Sequence, residues 1–486
     1  MKSKLKFIFG LQFMEVFSYN LFVAKSVLKV RFVPRIKIIQ NLTYKHVQRL
    51  EIIKFILQRP FFNSLWRYDL NSSFLQKTST PLADPEISQD SSKKYQLPTI
   101  RPNPCPPFCY YSRYAEDQQK EILQYNGAFL SLLGLSRFPN QSTFRRFLKR
   151  LSPKAIRQLV RLHDQLRAKL FALPKSRSSL IFDLDSVVLI IYGKPQFARV
   201  GYNPKKPGRR SYHPLFCFEA HLQEFWHASL RPGNVFTSTG AIPFIKVCLS
   251  KVPKTISRSR IRFRADSGFF NKKVIQWLDQ EGYGYVIVAK EYPTIKAQAR
   301  SCRFKKLRNG WEVGEFRYQP YRWEKAHRFI VVRRPIPKDP IEAQQLTLFK
   351  DQKYAYHVLV TNLKAHPWRV WRFYAKRATI EKNVRELLYD YPLGKIPTED
   401  WVANVAFFHI MLFAYNIVHW FKRICLLGEY LYATLETIRT DFLVLPARLT
   451  KRGSKNLLLL PRDYRYREQF ENALKKINKL KIRENL

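Results

Sequence analysis

Between residues 180 and 290 the chain changes its hydrophobic period repeatedly, and the order of those changes admits few folds. LIFDLDSVVLIIYG, starting at residue 180, is rich in β-branched residues and has strand length. LFCFEAHL (215–222) and EFWHASLRPG (224–233) read as two further strands. TGAIPFIKVCLSKVP (239–253) reads as a helix, RIRFRAD (260–266) as a strand, NKKVIQWLDQEGY (271–283) as a helix and YGYVIVAK (283–290) as a strand. Strands joined by short turns suit an antiparallel meander, and strands joined through helices suit parallel pairing. The chain is therefore expected to be α/β, with a mixed sheet flanked by helices.

The flanking segments complete the layout. Residues 1–114 are basic and irregular, with a Pro/Ser-rich linker in KTSTPLADPEISQDSSKK and RPNPCPPFC. Residues 115–175 are expected to be helical, with Ser152 and Pro153 as cap and first turn of a basic amphipathic helix. Such helices either dock on DNA or pack on the next domain. The core is expected to run over 176–290. Residues 291–370 alternate like strands and read as a β-rich insertion. A long helix over 373–391 and an apolar helix from 401 place a second part of the core at 371–428, and 429–486 form a basic tail.

Charge narrows the function. Lys and Arg number 86 against 36 Asp and Glu, a net +50. Self-repulsion of that size opposes compaction, so the excess points to a polyanionic partner, nucleic acid above all. The 46% apolar content excludes a disordered tail protein. The N-terminus imitates a signal peptide, but Gln12, Glu15 and Asn20 interrupt its apolar run. The helix near 401–427 is punctuated by His409, Asn416 and His419 and reads as a buried core helix, not a membrane span. A cytoplasmic, nucleoid-associated protein is expected. The scattered cysteines lack a complete zinc pattern and read as reduced thiols.

The acids are few, so their placement is informative. Asp266 ends the strand RIRFRAD, where ligand sites gather in open α/β sheets. Asp183 and Asp185 lie two apart on one face of an upstream strand. If these strands are neighbours, two carboxylates stand side by side, as a hard divalent cation requires. Two such ions about 4 Å apart support phosphoryl transfer. Glu381 is the candidate third ligand, with Tyr374 and Arg377 on the same helical face; Glu386 and Asp390 compete for the role. The bland readings are turn-forming aspartates and a surface Arg377–Glu381 ion pair.

On these blocks (DLDSVVL, GYNPKKPGRRSYHPL, LRPGN, RADSGFF and YAKRATIEKNVREL) the chain resembles the DDE transposases of bacterial insertion sequences, in the branch with a Tyr-x-x-Arg-x-x-x-Glu signature. The resemblance runs from about 115 to 480. It implies an RNase H-like core interrupted by a β-rich insertion before the last acid. It implies Asp185, Asp266 and Glu381 as catalytic, metal-binding residues, with Mg²⁺ or Mn²⁺, and Asp185 preferred to Asp183 because Ser186 follows it. It implies metal-dependent cleavage at transposon ends and strand transfer into target DNA. Terminal inverted repeats and target DNA are the implied partners, bound by a homodimer. Tyr374, Arg377 and the loop residues Lys205, Lys206, Arg209 and Arg210 are expected to contact DNA. The Lys that often follows the Glu in that branch is here Leu388, which leaves Lys382 or Arg385 to supply a phosphate contact. His213 is read as structural. Trp311 and Trp323 are weighed as base-stacking residues, with core packing preferred. The alternatives are an RNase H-like nuclease without joining activity, or an inactive, transposase-derived DNA-binding protein.

Overall fold

The computed structural model describes residues 30–32, 141–171, 179–204, 206–307, 310–336, 349–350, 353–426, 428–443, 448–452 and 455–479. The expectations for the signal-like start, the linker, Cys105, Cys109, most of the first hundred residues and the part of the helical region before residue 141 lie outside these.

The strands are β1 (Leu180–Ser186), β2 (Leu215–Glu219), β3 (Glu224–Ser229), β4 (Ile261–Ala265), β5 (Gly284–Val288), β6 (Lys305–Lys306), β7 (Glu312–Tyr318), β8 (His327–Pro335) and β9 (Tyr354–Thr361). They lie in one sheet in the order β6-β7-β8-β9-β5-β4-β1-β2-β3, with Phe349–Lys350 paired to β9. β1, β2 and β3 form the expected antiparallel meander. β1–β4 and β4–β5 pair in parallel through helices α3 (Ala241–Ser250) and α4 (Lys272–Gln280). This is the RNase H-like arrangement. Helix α5 (Pro293–Ser301) follows β5, and the strands of 305–361 extend the same sheet, because β9 pairs antiparallel with β5.

Both faces of the sheet are covered. On one, Phe182, Leu184, Phe263 and Ala265 pack with Phe244, Ile245, Ile275 and Leu278 of α3 and α4. On the other, Phe216, Phe218 and Phe225 pack with α8 (Trp401–Phe421) and with α7 (Ala378–Tyr389). Helices α1 (Gln141–Arg150) and α2 (Pro153–Phe171) pack there too, through Phe144, Leu148, Ile156, Leu166 and Leu170. Ser152 Oγ accepts from Ala155 N at 3.2 Å, the expected cap.

Helix α8 and the turn after it are long and apolar enough to cross a membrane by length and composition alone, yet 72% of that apolar window is buried within the fold. The polar residues that punctuate it explain why. Asn416 accepts from Phe225 N at 2.9 Å and donates to Phe225 O at 2.8 Å, which satisfies the backbone of the terminal strand β3. Trp420 Nε1 donates to Glu224 at 2.6 Å.

One expected element is different. The single helix over 373–391 is two, α6 (Pro367–Ala375) and α7. In an unbroken helix Phe373 O would accept from Arg377 N. Instead Arg264 Nη1 takes Phe373 O at 2.6 Å, and Arg377 N turns to Tyr374 O at 2.8 Å. A side chain from the sheet has broken the ladder, as tertiary contacts can.

Candidate active site

Strand register builds the site rung by rung. Leu184 is level with Ala265 on the parallel pair β1–β4, so the next residues, Asp185 and Asp266, stand side by side at the strand ends. One rung below, Asp183 is level with Arg264. Side chains two apart share a face, so all four project to the face covered by α6 and α7.

The lower rung is a closed ion pair. Arg264 Nε and Nη2 donate to the two oxygens of Asp183 at 2.5 and 2.6 Å, and both residues are almost fully buried. Both Asp183 oxygens are thus engaged, while Arg264 also holds α6 through Phe373 O. The equal spacing of Asp183 before Asp185 and of Arg264 before Asp266 is the sequence signal for this pair.

The upper rung is open by comparison. Asp266 caps the turn Ser267–Phe269, accepting from Gly268 N at 3.1 Å. Asp185 Oδ1 accepts from Ser186 N at 2.9 Å and from Arg377 Nη2 at 3.0 Å. Arg377 Nη1 donates to Glu381 at 2.9 Å. One guanidinium thus joins the first and third expected acids, and the Glu381 side chain is 63% exposed. Burial pushes the Asp185 carboxyl up to about 7 against the pull of Arg377, and Asp266 and Glu381 add to the rise. Burial also raises Asp266, again opposed by Arg377. For Arg377, burial lowers the pKa, but Asp185 and its neighbours outweigh it and hold the guanidinium charged.

Tyr374 is buried at the end of α6, its hydroxyl pushed up to about 12 by burial, so it stays a neutral phenol. Of the competing acids, Glu386 accepts from Leu435 N at 2.9 Å, which anchors a short helix at Leu435–Ile438, and Asp390 ends α7. Among the described residues, no three His, Cys, Asp or Glu side chains converge closely enough to enclose a metal ion. The reason is visible: Arg377 stands between Asp185 and Glu381.

A hydrogen-bond chain absent from the sequence reading supports the site. His213 Nδ1 lies 2.8 Å from Val235 O, so it carries the proton there, and Nε2, 3.1 Å from Ser186 Oγ, accepts. Ser186 Oγ is 2.9 Å from Thr237 Oγ1. A Cβ on Gly268 would lie 2.8 Å from the Thr237 side chain, so the Gly after Asp266-Ser267 permits this close approach.

The long β1–β2 connection is itself folded. Leu189–Ile190, Arg199–Val200 and Arg210–Tyr212 form a small antiparallel sheet with the last strand central. Lys206, Arg209 and Arg210 are exposed on it, and Lys205 lies outside the described residues. These cations do not touch the acids; the small sheet connects the two groups. Two glycines anchor it: a Cβ on Gly201 would lie 2.0 Å from Gly233 O, and one on Gly233 would lie 2.2 Å from Ser211 O and 2.5 Å from Arg199 O. Gly233→Ala is therefore expected to cost about 1–3 kcal/mol, measured as a lower urea midpoint. An unchanged midpoint would mean that the contact relaxes freely. Trp311 packs on Trp368 and Trp371, and Trp323 on Phe270 and His327, the packing role preferred from the sequence.

A family described as Transposase DDE domain group 1 matches residues 113–482, well over half of the chain. The chain belongs to this transposase family. No curated protein sequence matches it. Among solved structures, it is similar to the piggyBac transposase synaptic complex with hairpin DNA, with 12% identity, TM-score 0.32, and 50% of this chain and 48% of that chain covered. It thus spans about half the length of that protein. It is also similar to the Mos1 transposase paired-end complex with left transposon end, with 10% identity, TM-score 0.16, and 51% and 78% covered.

Proposed function

We propose that the protein is a DNA transposase that cleaves DNA at the ends of its element and joins the freed 3′ ends to target DNA. The observation that carries this reading is the upper rung: Asp185 and Asp266 side by side at the ends of adjacent parallel strands, with Glu381 tied to them through Arg377. Membership of the transposase family supports it. The donor set fits a hard divalent ion, since carboxylate oxygens are what Mg²⁺ and Mn²⁺ prefer. Asp185, Asp266 and Glu381 would hold it. Bound there, such an ion would supply Lewis acidity toward a phosphodiester and lower the pKa of an attacking water.

The chain's own residues divide the remaining work. Arg377 balances the charge of the acids, and Glu381, on an exposed first turn, is free to change partner. The Asp183–Arg264 pair fixes the rung beneath and the start of the Tyr374–Arg377 turn. His213, Ser186 and Thr237 hold the backbone at Asp185. Lys206, Arg209 and Arg210, with Lys205, supply sequence-independent phosphate contacts. A homodimer would hold two element ends together.

The test is a plasmid carrying the repeats that flank the gene, incubated with the purified chain and Mg²⁺ or Mn²⁺. Nicks at the repeat ends followed by joined products are expected. Nicks without joining would assign a nuclease instead, and specific binding without any cut would assign an inactive DNA-binding relative.

A further inference from the structure

The small sheet between β1 and β2 carries more than phosphate-binding charge. From Val187 to Pro214 the sequence holds Lys194, Arg199, Lys205, Lys206, Arg209 and Arg210 and no acidic residue. Three exposed aromatic side chains stand in this cationic stretch: Phe197, which packs edge-on against Trp401, Tyr192 at 68% exposure and Tyr202 at 71%. Exposed rings interleaved with cations, with no acid among them, form the combination that binds nucleic acid.

The register shows where they stand on the small sheet. Leu189 pairs with Tyr212 and Ile190 with Ser211; Arg199 pairs with Ser211 and Val200 with Arg210. Continued outward, the same register sets Tyr192 opposite Arg209 and Tyr202 opposite Gly208. Arg209 and Gly208 are successive on the central strand, so by this register the two rings leave opposite faces of the small sheet, one on each side of its turn. Lys206 Nζ holds the Tyr192 hydroxyl at 3.0 Å and lies 5.7 Å from its ring centre. The sheet is firmly rooted: Tyr212 donates to Gln196 O at 2.6 Å, and Trp401 N donates to Gln196 Oε1 at 3.0 Å. Its base adjoins the acids, since Leu189 follows Ser186 closely in sequence and His213, one past Tyr212, binds Ser186 Oγ. Its tip lies about 10 Å farther out at ~3.3 Å per residue.

We propose that this tip is a stacking platform for unpaired nucleotides adjoining the phosphodiester that the carboxylate site acts on. Tyr192 and Tyr202 would stack on bases while Lys206, Arg209 and Arg210 track the backbone, the combination by which proteins bind single strands without reading sequence. The inference rests on the transposase reading and names the form of DNA that this part of the site takes.

The experiment measures binding of the full chain, with chelator present, to fluorescein-labelled oligothymidylate and to a labelled duplex of equal length. Tyr192→Ala with Tyr202→Ala is expected to weaken single-strand binding at least about tenfold and duplex binding about twofold or less. Tyr192→Phe with Tyr202→Phe, which keeps both rings, should restore single-strand affinity. Lys206→Ala with Arg209→Ala should weaken both probes. An unchanged single-strand affinity in the alanine variant, an equal loss on both probes, or no rescue by phenylalanine would overturn the platform. Because nothing is cleaved in this assay, its failure is separable from failure of the plasmid test.

Discussion

Asp266→Asn should lower metal-dependent cleavage at the repeat ends by at least about 10³-fold, because several kcal/mol of transition-state stabilisation go with the ion that the carboxylate would hold. The same variant should fold normally. Asparagine keeps the shape of the side chain and a carbonyl oxygen for Gly268 N, the one cap bond that the aspartate makes. It also relieves crowding, since Asp185, Asp266 and Glu381 share the guanidinium of Arg377. The thermal midpoint should therefore be unchanged or slightly raised, and DNA binding retained. Asp185→Asn and Glu381→Gln should behave alike in cleavage. Cleavage at a wild-type rate by the Asp266 variant would remove it from the chemistry, and a variant that fails to fold would make it structural.

Arg264→Ala should do the reverse and cost about 3–5 kcal/mol of stability. It leaves the Asp183 carboxylate buried without its hydrogen-bonded counter-charge, with only the more distant pull of Arg377, and Phe373 O without its donor. A loss of that size is a large part of a typical domain's stability of roughly 5–15 kcal/mol. Replacing both charges together, Asp183→Leu with Arg264→Met, should recover much of the loss, since an apolar pair of similar volume carries no desolvation cost. Urea denaturation followed by tryptophan fluorescence measures both. If the single and double variants unfold at one midpoint, the buried pair contributes nothing through its charge. The two rungs thus separate by experiment: the lower one holds the fold, the upper one carries the proposed reaction.

Much of this was legible in the sequence. The strand and helix order from 180 to 290 determined the meander, the parallel pairs and so the sheet, because period and connection length leave few topologies. Strand-end positions singled out Asp266 and the Asp183–Asp185 pair, the helical face shared with Tyr374 and Arg377 put forward Glu381, and the resemblance preferred Asp185 to Asp183. The net charge of +50 pointed to a polyanion before any fold was known. Other features depended on contacts between residues far apart in the chain. No local rule splits the helix at 376–377; Arg264, over a hundred residues upstream, does so by taking Phe373 O. Asp183 and Asp185 look equivalent in IFDLDSVV, and only the partner strand, with Arg264 beside one and Asp266 beside the other, makes one a structural ion pair and the other an open acid. His213 and Ser186, 27 residues apart, meet only because the β1–β2 connection folds back on itself. Period and propensity are properties of neighbours in sequence, whereas a buried charge takes its role from whichever partner the fold sets across from it.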